Sequence, residues 1–439
     1  MRPSPPLSAN PPFPAEAEVG TCFTRRNYWV FVAEGGFFMG GLALVSADTV
    51  LPVMVTSLGG DRSLLAFLPM LMWFGILLPS IFVSHRVEAL PVLKPFIVWC
   101  GLWQRLTFLF AAAALYLWGQ TNTTLALGVV MLTPFLSGLF GGIGLSAWFT
   151  LSARTVSPQR RSSATALKQI MGALMGLLGG FLVERVLSTE GGVQGFALLH
   201  LLAFVAMAFS LAAYLLTQEA PAPPFVKRPD RGILEFFHGL PQLVRSFPLF
   251  ARYVVGRTLG ASQFFIVPFM MVQALAVTGQ EDALAGIMLS AQMAGGIAGN
   301  VTAGILGDRF GGKGVALFAR LLFIVMLFMF WGAHEVWHFT AVFVVWGFVF
   351  QAMMVSDNAV TTELAHGRRM PSLMALNSFA YLIGLVGVSV SASLLSQLSE
   401  GIFILLCLSG GLMLLGFIVL LSIPEPRNNP LTQASNGRK

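Results

Sequence analysis

The chain has 439 residues, of which 56% are hydrophobic and only 10% are Asp, Glu, Lys or Arg; a soluble domain carries about 25% charged residues, so water is excluded as the main solvent. The net charge of +7 is divided among many short loops and forms no continuous basic stripe, which argues against nucleic acid as a partner. Cys22, Cys100 and Cys407 are scattered, with neither a paired framework nor metal-ligand spacing, and read as ordinary thiols.

In chain order, residues 1–27 open with six prolines and lack a charged-then-apolar leader pattern, which predicts a disordered tail. Twelve apolar stretches follow, at 29–56, 63–84, 95–117, 124–151, 162–187, 193–216, 249–277, 282–306, 314–333, 336–359, 371–397 and 401–422. Each is long enough to cross roughly 30 Å of hydrocarbon as a helix. The strict apolar and polar alternation of a membrane β-barrel is absent. The expected fold class is therefore an all-α membrane protein with twelve transmembrane helices.

Six spans precede the longest internal polar segment and six follow it. This predicts an N-terminal six-helix bundle over 28–217, a linker over 218–248, a C-terminal bundle over 249–423 and a tail over 424–439. Within the linker, Ile233, Phe236, Phe237, Leu240 and Val244 recur at helical spacing, as an amphipathic helix on the inner leaflet would require. A repeat supports the division. Ser157 to Arg161 followed by Ala166-Leu167-Lys168 is matched, one half later, by Ala365 to Arg369 followed by Ala375-Leu376-Asn377.

Positive residues near span ends set orientation. With the N-terminus inside, 21 of the 26 lysines and arginines fall in cytoplasmic segments, Arg320 among them. Both termini are expected to be cytoplasmic, in a multi-pass protein of a bacterial inner membrane.

Between spans 8 and 9 stands Gly304-Ile305-Leu306-Gly307-Asp308-Arg309-Phe310-Gly311-Gly312-Lys313. This G-x-x-x-D-R-x-G-x-K run resembles the signature loop of the major facilitator superfamily, as do the six-plus-six division and the Pro-x-Arg-Arg turn after span 4. The resemblance implies two bundles that rock about a central site, with Gly304, Asp308, Arg309, Gly311 and Lys313 as a cytoplasmic latch for one access state. The equivalent loop of the first half departs from the pattern, with His85 in the aspartate position and only Arg86 matching. The span-5 stretch Met175 to Gly180 lacks the proline of the superfamily's drug antiporters.

An ionisable side chain in hydrocarbon costs at least about 2.5 kcal/mol on insertion scales and so implies a partner, a wet cavity or a function. Glu34 lies in span 1 and is the candidate for proton coupling; a structural ion pair with Arg105 is the alternative. Asp48, 14 residues on and close to the same helix face, either lines the pathway or reaches the outer interface. Arg257 in span 7, with Gln263 nearby, either holds a carboxylate or phosphate of the solute or snorkels to the headgroups. By the resemblance, Glu34 and Arg257 would face each other across the cavity. Gln292, Asn300, Gln351, Asn358 and Asn377 are cavity or interhelical hydrogen-bond candidates, and Arg105 and Asp357 are charge-pair candidates.

No nucleophile and base pair, metal cluster or phosphate-cradling loop is found, so neither an enzyme nor a cofactor is expected. The expected partners are the lipid bilayer, a small solute and protons. The leading expectation is a secondary active transporter working by alternating access; a uniporter without proton coupling and a non-transporting sensor or assembly factor are the alternatives.

Overall fold

A computed structural model describes residues 22–87, 90–220, 233–364 and 370–425. The proline-rich tail, the basic start of the linker, the Ala365 to Arg369 turn and the C-terminal tail lie outside the described residues. Among those described there are helices and no strands: α1 (Arg25–Ala43), α2 (Val50–Ser57), α3 (Arg62–Leu65), α4 (Leu68–Val87), α5 (Lys94–Trp118), α6 (Thr123–Thr155), α7 (Pro158–Glu190) and α8 (Gly192–Leu215) in the first half. The second half has α9 (Ile233–Ser246), α10 (Pro248–Gly260), a 3-10 turn (Ala261–Phe265), α11 (Val267–Thr278), α12 (Leu284–Phe310), α13 (Gly312–Trp331), α14 (Val336–Leu364), α15 (Met370–Leu395) and α16 (Gly401–Leu421).

Eleven described helical segments are long and apolar enough to cross a membrane by themselves. The twelfth crossing is the first span, which is split into α1 and α2 and so has no single continuous helix. The break has a chemical cause. Pro52 has no N–H to give the carbonyl of Asp48, and its ring crowds that carbonyl. Ser46 Oγ meanwhile accepts from the Asp48 amide at 3.3 Å, drawing the backbone out of the helical pattern. The expectation that Glu34 and Asp48 share a helix face is therefore corrected: the helix ends between them. Span 7 breaks in the same way, with its 3-10 turn immediately before Val267-Pro268.

A second internal repeat ties each half together at the end that carries the tails. Lys94 Nζ, at the start of α5, donates to the Leu215 and Thr217 carbonyls at 2.5 and 3.0 Å, and Glu219 accepts the Leu93 and Lys94 amides. One half later Lys313 Nζ donates to the Leu421 and Ile423 carbonyls, and the Glu425 carboxylate lies against Gly311. Gly311 has φ +86°, a left-handed conformation that glycine adopts without steric cost, and a Cβ there would collide with Glu425. Each half thus staples the start of its third span to the end of its sixth.

The halves meet mainly along α7 and α12, with further contact between α4 and α15 and between α2 and α11. Close approaches between α7 and α12 occur at the end that carries Gly180 and Gly286. A Cβ on Gly176 would stand 2.8 Å from Met293 Sδ, Ser290 Oγ donates to the Leu177 carbonyl at 3.2 Å, and Gly180 and Gly286 bring the two backbones together. Toward the other end of α12, Gly304, Ile305 and Phe310 are exposed. The bundles are therefore held together at the end opposite the tails.

Candidate functional site

Three clusters of polar groups lie within the spans. The first belongs to the N-terminal bundle. Glu34 (α1) and Arg105 (α5) are both buried, with Oε1 3.9 Å from Nη2. Arg105 is otherwise held by the protein: Nε donates to the Met207 carbonyl at 2.9 Å, Nη1 to the Gly101 carbonyl at 3.0 Å and Nη2 to Ser210 Oγ at 2.9 Å. Lys168 (α7), 9% exposed, crosses Gly35 and sets its ammonium 4.1 Å from the Trp148 ring centre and 5.0 Å from that of Phe31. It also interacts electrostatically with Glu34. Glu34 Oε2 is buried and accepts no hydrogen bond.

The second cluster belongs to the C-terminal bundle. Asp357 (α14) stands 3.6 Å from Arg257 Nε (α10) and 3.3 Å from Arg320 Nη2 (α13). Arg257 Nη1 donates to Asn377 Oδ1 at 3.3 Å, and the guanidinium lies 4.4 Å from the Tyr381 ring centre. Arg320 Nη1 donates to the Ala316 carbonyl at 3.0 Å, one helical turn back, as Arg105 does in the first half. Arg257, Arg320, Asp357, Gln263, Tyr381 and Trp73 line one pocket, the last supplied by the N-terminal bundle. Trp73 meets Tyr381 edge to face at 6.5 Å and covers the pocket on the closed side.

The third cluster bridges the bundles. Asp48 Oδ2, in the break of span 1, accepts from Gln292 Nε2 (α12) at 2.7 Å and from Trp346 Nε1 (α14) at 3.0 Å. Farther out, Ser57 Oγ donates to Asp282 Oδ2 at 3.0 Å. Both contacts cross from one half to the other at the closed end.

The geometry sorts the predicted residues. Gln263, Asn377 and Asp357 gather around Arg257, and Gln292 goes to Asp48. Gln351 packs beside Gly296, Asn300 is half-buried, and Asn358 is exposed away from the pocket. Glu34 and Arg257 do not face each other; each is paired inside its own bundle. In the signature loop, Lys313 binds the end of α16 and Arg309 lies over the Phe310 ring. Asp308 lies on the last turn of α12, and Gly304 has open space about it.

Arg320 is a correction. It was counted among the cytoplasmic basic residues, yet it lies inside α13 and is 1% exposed. Aligning the third spans of the two halves would have revealed it, because Arg105 occupies the matching place. Tyr381, Trp73 and Trp346 carried no sequence signal that set them apart from other aromatic residues. Among the described residues no group of His, Cys, Asp and Glu could hold a metal ion.

This is the architecture of a multi-pass, all-helical membrane protein. A sequence model of the family described as Major Facilitator Superfamily matches residues 253–438. A crystal structure of the D-xylose-proton symporter superimposes with a TM-score of 0.69 at 13% identity, covering 92% of this chain and 99% of that one. A bacterial homologue of the iron transporter ferroportin in its inward-facing state gives 0.65 at 13% identity, covering 90% and 98%. The outward-facing state with soaked iron gives 0.56 at 13% identity, covering 92% and 99%. Such identities carry the fold and nothing finer. No curated protein matches the chain. The family match lies in the second half of the chain, and the likeness over nearly the whole length is one of fold.

Proposed function

We propose that the protein is a secondary active transporter that moves a small solute by alternating access and is coupled to protons through Glu34. The observation that carries the reading is the one-ended closure. Two bundles are bridged at the end bearing Asp48 and Ser57, with a charged pocket lined from both halves, and Gly304, Ile305 and Phe310 are exposed toward the other end. A site accessible from one side at a time is what alternating access requires.

With cytoplasmic termini, the closed end is the outer one and the conformation is inward-open. The higher TM-score to the inward-facing ferroportin homologue than to the outward-facing one agrees with this orientation. The signature-loop residues Gly304, Asp308, Arg309, Gly311 and Lys313 would then form the latch at the open end, engaging when that end closes.

Proton coupling is supported by the unmet oxygen of Glu34. A buried carboxylate oxygen without a donor is costly. Protonation would neutralise the carboxyl, while Arg105 would keep its bonds to Met207, Gly101 and Ser210. The D-xylose-proton symporter shows that this fold can couple solute to protons.

The test is flux in liposomes made with the purified full chain. Uptake should follow an imposed proton gradient and lose its pH dependence in Glu34→Gln. Flux that survives collapse of the gradient would remove coupling and leave a uniporter. Absence of flux for every solute tried would favour a sensor.

A further inference from the structure

We infer that the pocket in the C-terminal bundle selects a small organic oxyanion, a carboxylate or phosphate, that carries a hydrogen-bond donor of its own beside an apolar body. The inference deepens the transport reading and rests on the same site. Its first support is charge. Among the described residues two guanidinium groups share one carboxylate there, so one positive charge has no second counter-ion paired with it. In a low-dielectric cavity an uncompensated charge is costly unless a ligand neutralises it.

The second support is a pair of buried polar atoms left unmatched. Arg320 is 1% exposed, yet its Nε, a donor, has no partner among the described residues. Gln263 is 6% exposed; it hydrogen-bonds Tyr381, and its Oε1, an acceptor, has no partner. Both atoms belong to side chains lining the pocket that holds Arg257. Buried polar groups are nearly always satisfied, and a ligand that offers an acceptor to one and a donor to the other would satisfy both.

The third support is the shape of the wall. Gly260 lies on the same wall, and a Cβ there would stand 3.5 Å from Arg320 Nη2 and 3.9 Å from Nε. The glycine therefore keeps a side chain off that edge of the guanidinium, where an oxyanion could take paired hydrogen bonds from Arg320 and Arg257. Trp73, Phe350 and Tyr381 supply flat apolar walls for the body of the molecule.

The test is calorimetric titration of the purified full chain with four matched probes. These are 4-hydroxyphenylacetate, its phosphonate analogue 4-hydroxybenzylphosphonate, the neutral 4-hydroxyphenylacetamide, and 4-methoxyphenylacetate, which keeps the charge and loses the donor. One or both hydroxylated anions should bind, and which of them binds distinguishes a carboxylate site from a phosphate site. The neutral amide should bind about tenfold more weakly or worse, because hydrogen bonds between charged partners are roughly twice as strong as neutral ones. The methoxy compound should also be weaker, and Gln263→Leu should erase that difference while leaving the preference for charge. Gly260→Ala keeps every charge and meets nothing closer than ordinary van der Waals contact, so it should fold normally and bind the anions more weakly.

Binding of the amide as tight as that of the acid, or no binding of either hydroxylated anion, overturns the inference. The transport reading fails separately. Proton-driven flux of an uncharged solute would leave a transporter with a different substrate class, whereas anion binding without flux of that anion would leave the site and remove transport.

Discussion

In the N-terminal bundle the deep carboxylate is on the first span and its cations are on the third and fifth; in the C-terminal bundle the cations are on the first and third spans and the carboxylate is on the fourth. Each half therefore holds two positive groups and one negative, but they are finished differently. Arg105 is bonded on three sides by its own protein. Arg320 leaves Nε unused, and Arg257 keeps 21% of its side chain exposed toward the pocket. The same scaffold thus carries one cluster whose arginine is bonded by its own protein and one whose arginines keep an unused donor and an exposed edge.

The sharpest way to break this comparison is to remove the carboxylate from each side. Asp357→Ala leaves two arginines without their counter-charge, and breaking a buried pair in this manner costs about 3–5 kcal/mol. Glu34→Ala should cost less, about 1–3 kcal/mol, because Arg105 keeps its hydrogen bonds. Unfolding of the two variants in the same detergent measures the difference. Equal losses would mean that the clusters are energetically alike and that the contrast in their bonding carries no weight.

The next effect concerns the joint between the bundles. Gly180 and Gly286 bring α7 and α12 together at the closed end, and a Cβ on Gly286 would collide with the backbone at Gly180 and Glu184. Overpacking of this kind costs about 1–3 kcal/mol, so Gly286→Ala should shift the equilibrium away from closure at this end by about 5- to 150-fold. Thr49, fully buried beside Asp48, reports the change. In a background without Cys22, Cys100 and Cys407, Thr49→Cys should resist an impermeant thiol reagent and become reactive once Gly286→Ala is added. Unchanged protection would show that this contact does not hold the end closed.

The sequence carried the crossings well because burial in lipid imposes a length and a polarity that no other solvent demands. It also carried Arg257, Gln263, Asn377 and Asp357 as polar residues inside spans, since each costs free energy there. It could not assemble them into one pocket, because which helix faces meet depends on packing across the bundle. The split in span 1 was marked by Pro52, yet the apolar run continues through it and reads as a single crossing. Arg320 was missed for a related reason: it lies eight residues into a short helix, close enough to the basic loop to be counted with it.

The smallest effect sharpens the comparison at its outer edge, where Ser57 of one half donates to Asp282 of the other. Burial is the main influence on the Asp282 carboxyl and pushes its pKa above the ordinary value; the Ser57 hydrogen bond opposes this, and Glu281 adds to it. With the end open the carboxyl would be solvated and ordinary, so closure favours the protonated form. Its contribution to closure is complete below the ordinary carboxylate pKa and fades as pH rises through the elevated one. Reactivity of Thr49→Cys should therefore fall as pH is lowered toward 4, by more than thiol ionisation alone explains, and the excess should vanish in Asp282→Asn. Persistence of the full excess in that variant would assign the pH response to another group at the joint, with Asp48 the first to examine because it too bridges the halves without a cation beside it.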